Sequence, residues 1–288
     1  VSEKRWTVME MVGWTANYLK EKGFHNARLN AELLLAGGLG LKRLDLYLQH
    51  DRPLKAEELA DFKARLLRRA KREPLQYIEG HAAFRDLTLR VDPRVLIPRP
   101  ETETLVQEVL DWAAGREAPT ALDVGTGSGA IALALATEGA FARVVGVDVS
   151  PGALEVARAN AAEAAPGAPV ELRLGSLYEA VAGERFDVIA SNPPYVGEEE
   201  RAALDAEVRD WEPAGALFAG TGGLEVIRPL VAGAPDHLAP GGLLAMEIGA
   251  TQAEAVCELV RATGAFAEPR VRRDLAGRDR IVLAELAE

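Results

Sequence analysis

Leu122-Asp123-Val124-Gly125-Thr126-Gly127-Ser128-Gly129-Ala130 reads as an apolar strand that passes through a glycine-rich turn into a helix. The glycines permit a tight turn and close approach of the backbone to a ligand, and the helix that follows offers free N–H groups. Asp148 ends the next strand, 19 residues after Gly129, where one carboxylate can accept from both hydroxyls of a ribose. Together these residues indicate an adenosine-containing cofactor in a doubly wound α/β sheet. Gly125 to Ala130 also satisfies the dinucleotide fingerprint with alanine last. A nicotinamide enzyme would need a hydride-transfer site, and no such site declares itself in the later sequence. Asp123, two residues before Gly125, suits an ammonium or, through water, a sulfonium-bearing methionine, so S-adenosylmethionine is the better fit.

The second decisive stretch is Asn192-Pro193-Pro194-Tyr195. It follows the apolar run Phe186 to Ala190, which reads as a buried parallel strand, so it belongs in the loop at that strand's carboxyl end. Two successive prolines stiffen the loop and remove two donors, leaving outward carbonyls beside an amide and an aromatic ring. Such a loop suits a planar group carrying an NH2. Asn192 Oδ1 and the Pro193 carbonyl could each accept one hydrogen, leaving the nitrogen lone pair free, while Tyr195 covers a flat face. An Asn-Pro pair alone is ordinary turn chemistry; the full tetrapeptide after a buried strand points to alkylation of an amide or amine nitrogen.

Apolar spacing predicts helices over residues 6–22, Ala27 to Ala36, Leu41 to Gln49 and Lys55 to Lys71, the last with a stripe of Leu59, Phe62, Leu66 and Leu67. A small helical bundle over residues 1–75 is expected, then a β-hairpin linker over 76–93, then a catalytic domain over 94–288. Prolines 98 and 100 make residues 94–100 an extended strap, followed by a helix from Glu101 to Ala114. Beyond it strands and helices alternate, ending in two strand candidates near Phe266 to Val271 and Arg280 to Ala284 that could form an antiparallel hairpin.

Charge is unevenly spread: residues 1–75 hold 15 Lys and Arg against 10 Asp and Glu, and the remainder 18 against 34. A body at -16 opposes nucleic acid unless a dedicated basic surface overcomes it. The densest basic cluster is Lys63, Arg65, Arg68, Arg69, Lys71 and Arg72, a candidate docking face for an acidic partner surface. No apolar run approaches the roughly 18 residues of a membrane span, and residues 1–6 lack a signal-peptide core, so a cytoplasmic protein is expected. The lone Cys257 reads as a core thiol, and the four scattered histidines give no metal-ligand spacing.

The glycine motif, Asp148 and the Asn192 to Tyr195 tetrapeptide resemble those of class I S-adenosylmethionine-dependent amino-methyltransferases. More narrowly, the chain resembles the HemK/PrmC family of release factor glutamine methyltransferases. The likeness extends through Ile97 to Glu103, Glu212-Pro213 with Gly222 to Leu224, Glu247 to Gly249 with Gln252, and Asp274 to Arg280. It implies a helical docking domain and a domain in which Asp123, Gly125, Thr126, Gly127, Ser128, Gly129 and Asp148 hold the cofactor, with Asn192 beside them. Ser176 and Leu177 would border the adenine, serine standing where the family usually has an acidic residue. Asn192, Pro193, Pro194 and Tyr195 would bind and activate the substrate, with Arg99 and Pro100 of the strap alongside; Glu101 and Glu247 are candidate supporting carboxylates. The implied substrate is the glutamine of the Gly-Gly-Gln motif in class 1 peptide chain release factors, met by a monomer with no direct nucleic-acid contact. The competing reading is methylation of an exocyclic amine of DNA or RNA, which would need a flipped base and a basic channel.

Overall fold

The computed structural model describes residues 5–287. Its described residues divide into two compact units, one made of those up to Gly80 with Ala206–Trp211, the other of His81–Asp205 with those from Glu212 onward.

In the first unit, helices α1 (Val8–Glu21), α2 (Ala27–Leu39), α3 (Arg43–Leu48), α4 (Ala56–Ala70) and α5 (Leu75–Glu79) pack around one apolar cluster. The helix α1 starts at a capping box: the Thr7 hydroxyl accepts from Glu10 N while Glu10 accepts from Thr7 N. Its buried face is Val8, Met11, Val12, Thr15 and Leu19, and Trp14 turns outward to stack on Tyr18. On α4, Phe62 and Leu66 are buried, whereas Leu67 is exposed, because it lies about 100° around the helix from Leu66. The helix α5 occupies a stretch whose five residues are too few to show a periodic signal.

Four of the six basic residues of the expected docking cluster, Arg65, Arg68, Arg69 and Arg72, are engaged within their own unit. Arg65 pairs with Asp61 and Glu79, Arg68 with Glu73, and Arg72 donates to the Lys22 carbonyl while lying over Phe24. Arg69 is buried: Nε donates to Asn30 Oδ1 at 2.6 Å, Nη1 to the Glu73 carbonyl at 2.8 Å and Nη2 to Glu207 at 2.8 Å. Guanidinium forks that satisfy carboxylates and carbonyls of their own unit hold it together and leave little for a partner.

The second unit begins with the antiparallel hairpin β1 (His81–Phe84) and β2 (Leu87–Arg90), followed by the strap and α6 (Pro100–Ala113), whose first residue is a proline with fixed helical φ. Then come β3 (Thr120–Val124), α7 (Ala130–Glu138), β4 (Arg143–Asp148), α8 (Pro151–Ala164), β5 (Val170–Leu174) and β6 (Phe186–Ser191). The short α9 (Ala206–Arg209) falls in the segment assigned to the first unit. The chain continues through α10 (Ile227–His237), β7 (Leu238–Glu247), α11 (Ala253–Ala262), β8 (Arg270–Arg273) and β9 (Asp279–Glu285). Seven strands form one sheet in the order β5-β4-β3-β6-β7-β9-β8, parallel up to β7, with β9 antiparallel to both neighbours. Two apolar clusters cover its faces, one built with α6 and α7 and the other with α10 and α11.

Strand order reverses between β3 and β6. The chain goes outward from β3 through β4 to β5, then returns to place β6 on the other side of β3. In the resulting register Val124 faces Ser191, so the loops that leave these two strands start side by side. That is where open α/β sheets bind ligands. Among the described residues no helix is long and apolar enough to cross a membrane.

Replacing Arg69 with alanine should destabilise the chain by roughly 2–4 kcal/mol, because Asn30 and Glu207 lose a buried cation that nothing replaces. Urea unfolding measures this, and an unchanged midpoint would show that the Arg69 bonds are incidental.

Candidate functional site

The glycine-rich loop needs its glycines for conformation: Gly125 and Gly127 have φ of 77° and 55°, a region that disfavours side chains. The N–H groups of Gly125 and Thr126 both donate to the Val147 carbonyl, which folds the loop over the end of β4. Gly127 N donates to Asp148 Oδ2 and Ser150 N to Asp148 Oδ1, each at 2.8 Å. A carboxylate so held is oriented, and each oxygen keeps a second lone-pair site.

These residues line a cavity of about 560 Å³. Its walls are Gly125 to Ser128; Val147 to Ser150; Gly175 to Leu177; Ser191 to Pro194; strap residues Arg94 to Leu96, Pro98 and Arg99; and Pro213, Pro229 and Leu230, among others. The size is that of a small-molecule cofactor site, and the lining is mostly apolar with a few convergent polar groups. A nucleoside cofactor fits this set: an oriented carboxylate for the sugar, a turn that only glycine readily forms, and the exposed apolar side chain of Val149 beside Leu177 for a flat base. Leu177 has a φ of 50°, a strained conformation for a side-chain-bearing residue. Ser176 N donates to Glu179 across the same turn.

The structure brings together on this cavity Arg99, Gly125, Thr126, Gly127, Ser128, Asp148, Ser176, Leu177, Asn192, Pro193 and Pro194. Four expected residues lie elsewhere. Gly129 starts α7 behind the loop, with a φ of 85°, and Pro100 is the first residue of α6. Asp123 is wholly buried and off the cavity wall: its Oδ2 accepts from Thr126 Oγ1 at 2.7 Å and Ala132 N at 3.1 Å. In this position it pins the loop to α7 instead of facing an ammonium, because an alternating strand turns that side chain under the glycine turn. Tyr195 is also off the cavity wall. Its ring packs against the core and its hydroxyl donates to Glu247 Oε1 at 3.1 Å.

The Asn192 to Tyr195 loop is held by groups that the sequence pattern alone does not reveal. Ser191 Oγ donates to the Val124 carbonyl at 2.6 Å, tying the two strand ends together. Gln252 Nε2 donates to the Tyr195 and Gly222 carbonyls at 2.9 and 3.0 Å. Gly223 must be glycine: a Cβ there would sit 1.9 Å from the Tyr195 carbonyl oxygen. Asn192 Nδ2 donates to Thr102 Oγ1 at 3.0 Å, and Thr102 Oγ1 donates to Glu247 Oε2 at 2.6 Å. Thr102 stands between two glutamates at the start of α6, and as a lone threonine it carries no motif signal. Burial pushes the Glu247 carboxyl up, opposed by the Thr102 and Tyr195 hydroxyls and by the charge of Arg280. Burial, then the nearby Glu247 charge, also raises the Tyr195 phenol. On the strap, Arg99 pairs at 2.5 Å with the buried Glu212, whose carboxyl burial raises and Arg99 lowers.

With this geometry in view, the comparisons with known proteins become specific. The family profile of the PrmC N-terminal domain matches residues 10–80, and that of the methyltransferase small domain matches residues 101–209. The chain is 48% identical over 280 residues to the release factor glutamine methyltransferase of Geobacter sulfurreducens, covering 96% of each chain. It is 42% identical over 289 residues to the protein of the same name from Chlorobaculum tepidum, covering 96% of this chain and 97% of that one. The chain belongs to the release factor glutamine methyltransferase family. Likeness to solved structures supports the fold of these methyltransferases: a methyltransferase from Pyrococcus furiosus aligns with a TM-score of 0.54 at 20% identity, over 80% of this chain and 100% of that one. A T. thermophilus 16S rRNA methyltransferase solved with AdoMet and guanosine aligns with a TM-score of 0.53 at 22% identity, over 72% of this chain and 49% of that one.

Desolvation pushes the Asp123 carboxyl up to about 7. Because the folded value exceeds the ordinary 3.8, the neutral form is favoured in the folded state, and this stabilising contribution is complete below about 3.8 and lost as pH rises to about 7. Without cofactor, Asp123→Asn should therefore gain stability relative to the unsubstituted protein as pH rises from 4.5 to 7, by at most about 1.4 kcal/mol per pH unit, and level off above that. Parallel pH–stability curves in urea unfolding would contradict the assignment.

Proposed function

We propose that this protein transfers a methyl group from S-adenosylmethionine to the side-chain amide nitrogen of the glutamine in the Gly-Gly-Gln motif of class 1 peptide chain release factors. One observation carries the reading: the stiff Asn192-Pro193-Pro194 segment borders the same cavity as the glycine-rich loop and Asp148. Family membership supplies the substrate. When bound, S-adenosylmethionine supplies an electrophilic methyl group on a sulfonium. Asp148 would hold the ribose, with Gly125 to Ser128 against the rest of the cofactor and Ser176 and Leu177 near the base.

An amide nitrogen is a poor nucleophile because its lone pair is delocalised into the carbonyl. Asn192 donates through Nδ2 to Thr102, so its Oδ1 remains as the acceptor, and among the described residues nothing donates to that oxygen or to the Pro193 carbonyl. Two acceptors held by a double proline can take both hydrogens of an NH2 group, fix the plane of the amide and favour positive charge building on nitrogen. Positioning of this kind is the residues' main contribution, and none of them is assigned as a strong base. Pro98 and Arg99 of the strap border the site, where they would help exclude water.

The helical unit is assigned to docking of the release factor, through a surface other than the internally paired arginines of α4. The reading places the protein in the cytoplasm as a monomer. Nucleic-acid methylation is disfavoured by the -16 charge of residues 76–288, which repels a phosphate backbone.

The test is transfer of labelled methyl to unmodified release factor, with duplex DNA and ribosomal RNA as parallel acceptors and mass spectrometry to place the label. Label on the Gly-Gly-Gln glutamine is expected; label on nucleic acid alone would overturn the reading. Asn192→Ala should abolish transfer while calorimetry still shows cofactor binding. Asp148→Ala should weaken cofactor binding by about 1.5–3 kcal/mol, roughly 10- to 100-fold in Kd, through the lost ribose contacts. Unchanged affinity would remove Asp148 from the site.

A further inference from the structure

Asn192 can work as an acceptor only if its amide faces the cavity oxygen-first. The torsion that turns the amide is soft and roughly two-fold, so the side chain's shape alone does not choose between oxygen and nitrogen. The choice has to come from whatever the buried end of the amide touches.

That neighbour is Thr102, itself buried, at 3.0 Å from Asn192 Nδ2. A hydroxyl has one proton to give, and Thr102 gives it to Glu247 Oε2 at 2.6 Å, a short bond of the kind made to a carboxylate. With its proton committed, Thr102 offers only lone pairs to Asn192, and lone pairs accept from Nδ2 and repel Oδ1. Glu247 is 1% exposed at the end of β7, and its second oxygen accepts from the Tyr195 hydroxyl. Both ends of the tetrapeptide are therefore anchored on one buried glutamate, whose two oxygens accept from the Thr102 and Tyr195 hydroxyls.

We propose that Thr102 and Glu247 are positioning residues that set the polarity of Asn192, so that the cavity meets its Oδ1 and selects substrates that present an NH2 group. This rests on the proposed amide methylation for its meaning in catalysis, but the polarity itself is a property of the protein without substrate. Thr102→Val keeps the shape and removes the hydroxyl, leaving the amide free to present either end. Thr102→Ser keeps the hydroxyl.

The experiment compares the two variants in methyl transfer to unmodified release factor, in cofactor affinity by calorimetry, and in solvent exchange of the Asn192 side-chain NH2 protons by NMR on the protein without acceptor. For Thr102→Val the expected results are a kcat lower by roughly 100-fold, a cofactor Kd within about twofold of the unsubstituted value, and Asn192 NH2 protons that lose their protection. Thr102→Ser should restore all three. Glu247→Gln should lower kcat as well, and the double variant should be no worse than Thr102→Val alone, because the two residues act in one chain. Full kcat in Thr102→Val, an equal loss in Thr102→Ser, or Asn192 NH2 protons equally protected in both would overturn the proposal. The NMR result needs no acceptor protein, so failure of all transfer in the unsubstituted protein would count against the functional reading and leave the polarity to be decided by the exchange data.

Discussion

Everything at the site depends on the pairing of β3 with β6. Register brings Val124 opposite Ser191, and the Ser191 hydroxyl bonds the Val124 carbonyl at that last pair. The order of the sheet reverses there, so no helix or crossover covers the gap between the two strand ends. One loop leaves it as a glycine turn that can lie against a cofactor, and the other leaves as a double proline that cannot relax. A slip of one residue in this register would turn every side chain of β6 to the wrong face and carry the Asn192 amide away from the cavity.

Around that junction, buried carboxylates do the orienting. Asp123 pins the glycine turn from below, Glu247 gathers Thr102 and Tyr195, and Glu212 holds Arg99 on the strap. Each is almost fully buried, and burial raises its carboxyl above the ordinary range. Buried polar groups are costly unless partnered, and here most of their oxygens have a partner; the exception is Asp123 Oδ1, which has none. The same pattern recurs at all three: a carboxylate that touches no cavity surface fixes a backbone or side chain that does, or in the case of Asp123 the turn that carries it.

Much of this was readable in the chain. The alternation of strands and helices from Ala121 onward, the glycine turn, Asp148 and the tetrapeptide all declare themselves by local pattern, and the structure puts most of the expected cavity residues on one wall or another. The rest depends on distance through space. Thr102 lies 90 residues from Asn192, and no spacing rule links a threonine in the first turn of a helix to a loop on the far side of a strand. Asp123 and Tyr195 were legible as residues of the motifs but not in their direction: strand alternation turns one beneath the loop, and the Glu247 bond turns the other into the core. The arginines of α4 looked like a basic face because sequence counts charges and does not show Glu73, Glu79 and Glu207 already closing on them. The helix α10 runs through Pro235, in its last turn, where a missing N–H costs a single bond.

The most direct test of the account is a structure of the protein with S-adenosylhomocysteine and a glutamine-bearing Gly-Gly-Gln peptide, with hydrogens located by neutron diffraction. The account predicts that the glutamine NH2 donates one hydrogen to Asn192 Oδ1 and the other to the Pro193 carbonyl, with Asn192 Nδ2 still on Thr102. A glutamine that turns its carbonyl toward Asn192, or an Asn192 that presents its NH2 to the cavity, would contradict it.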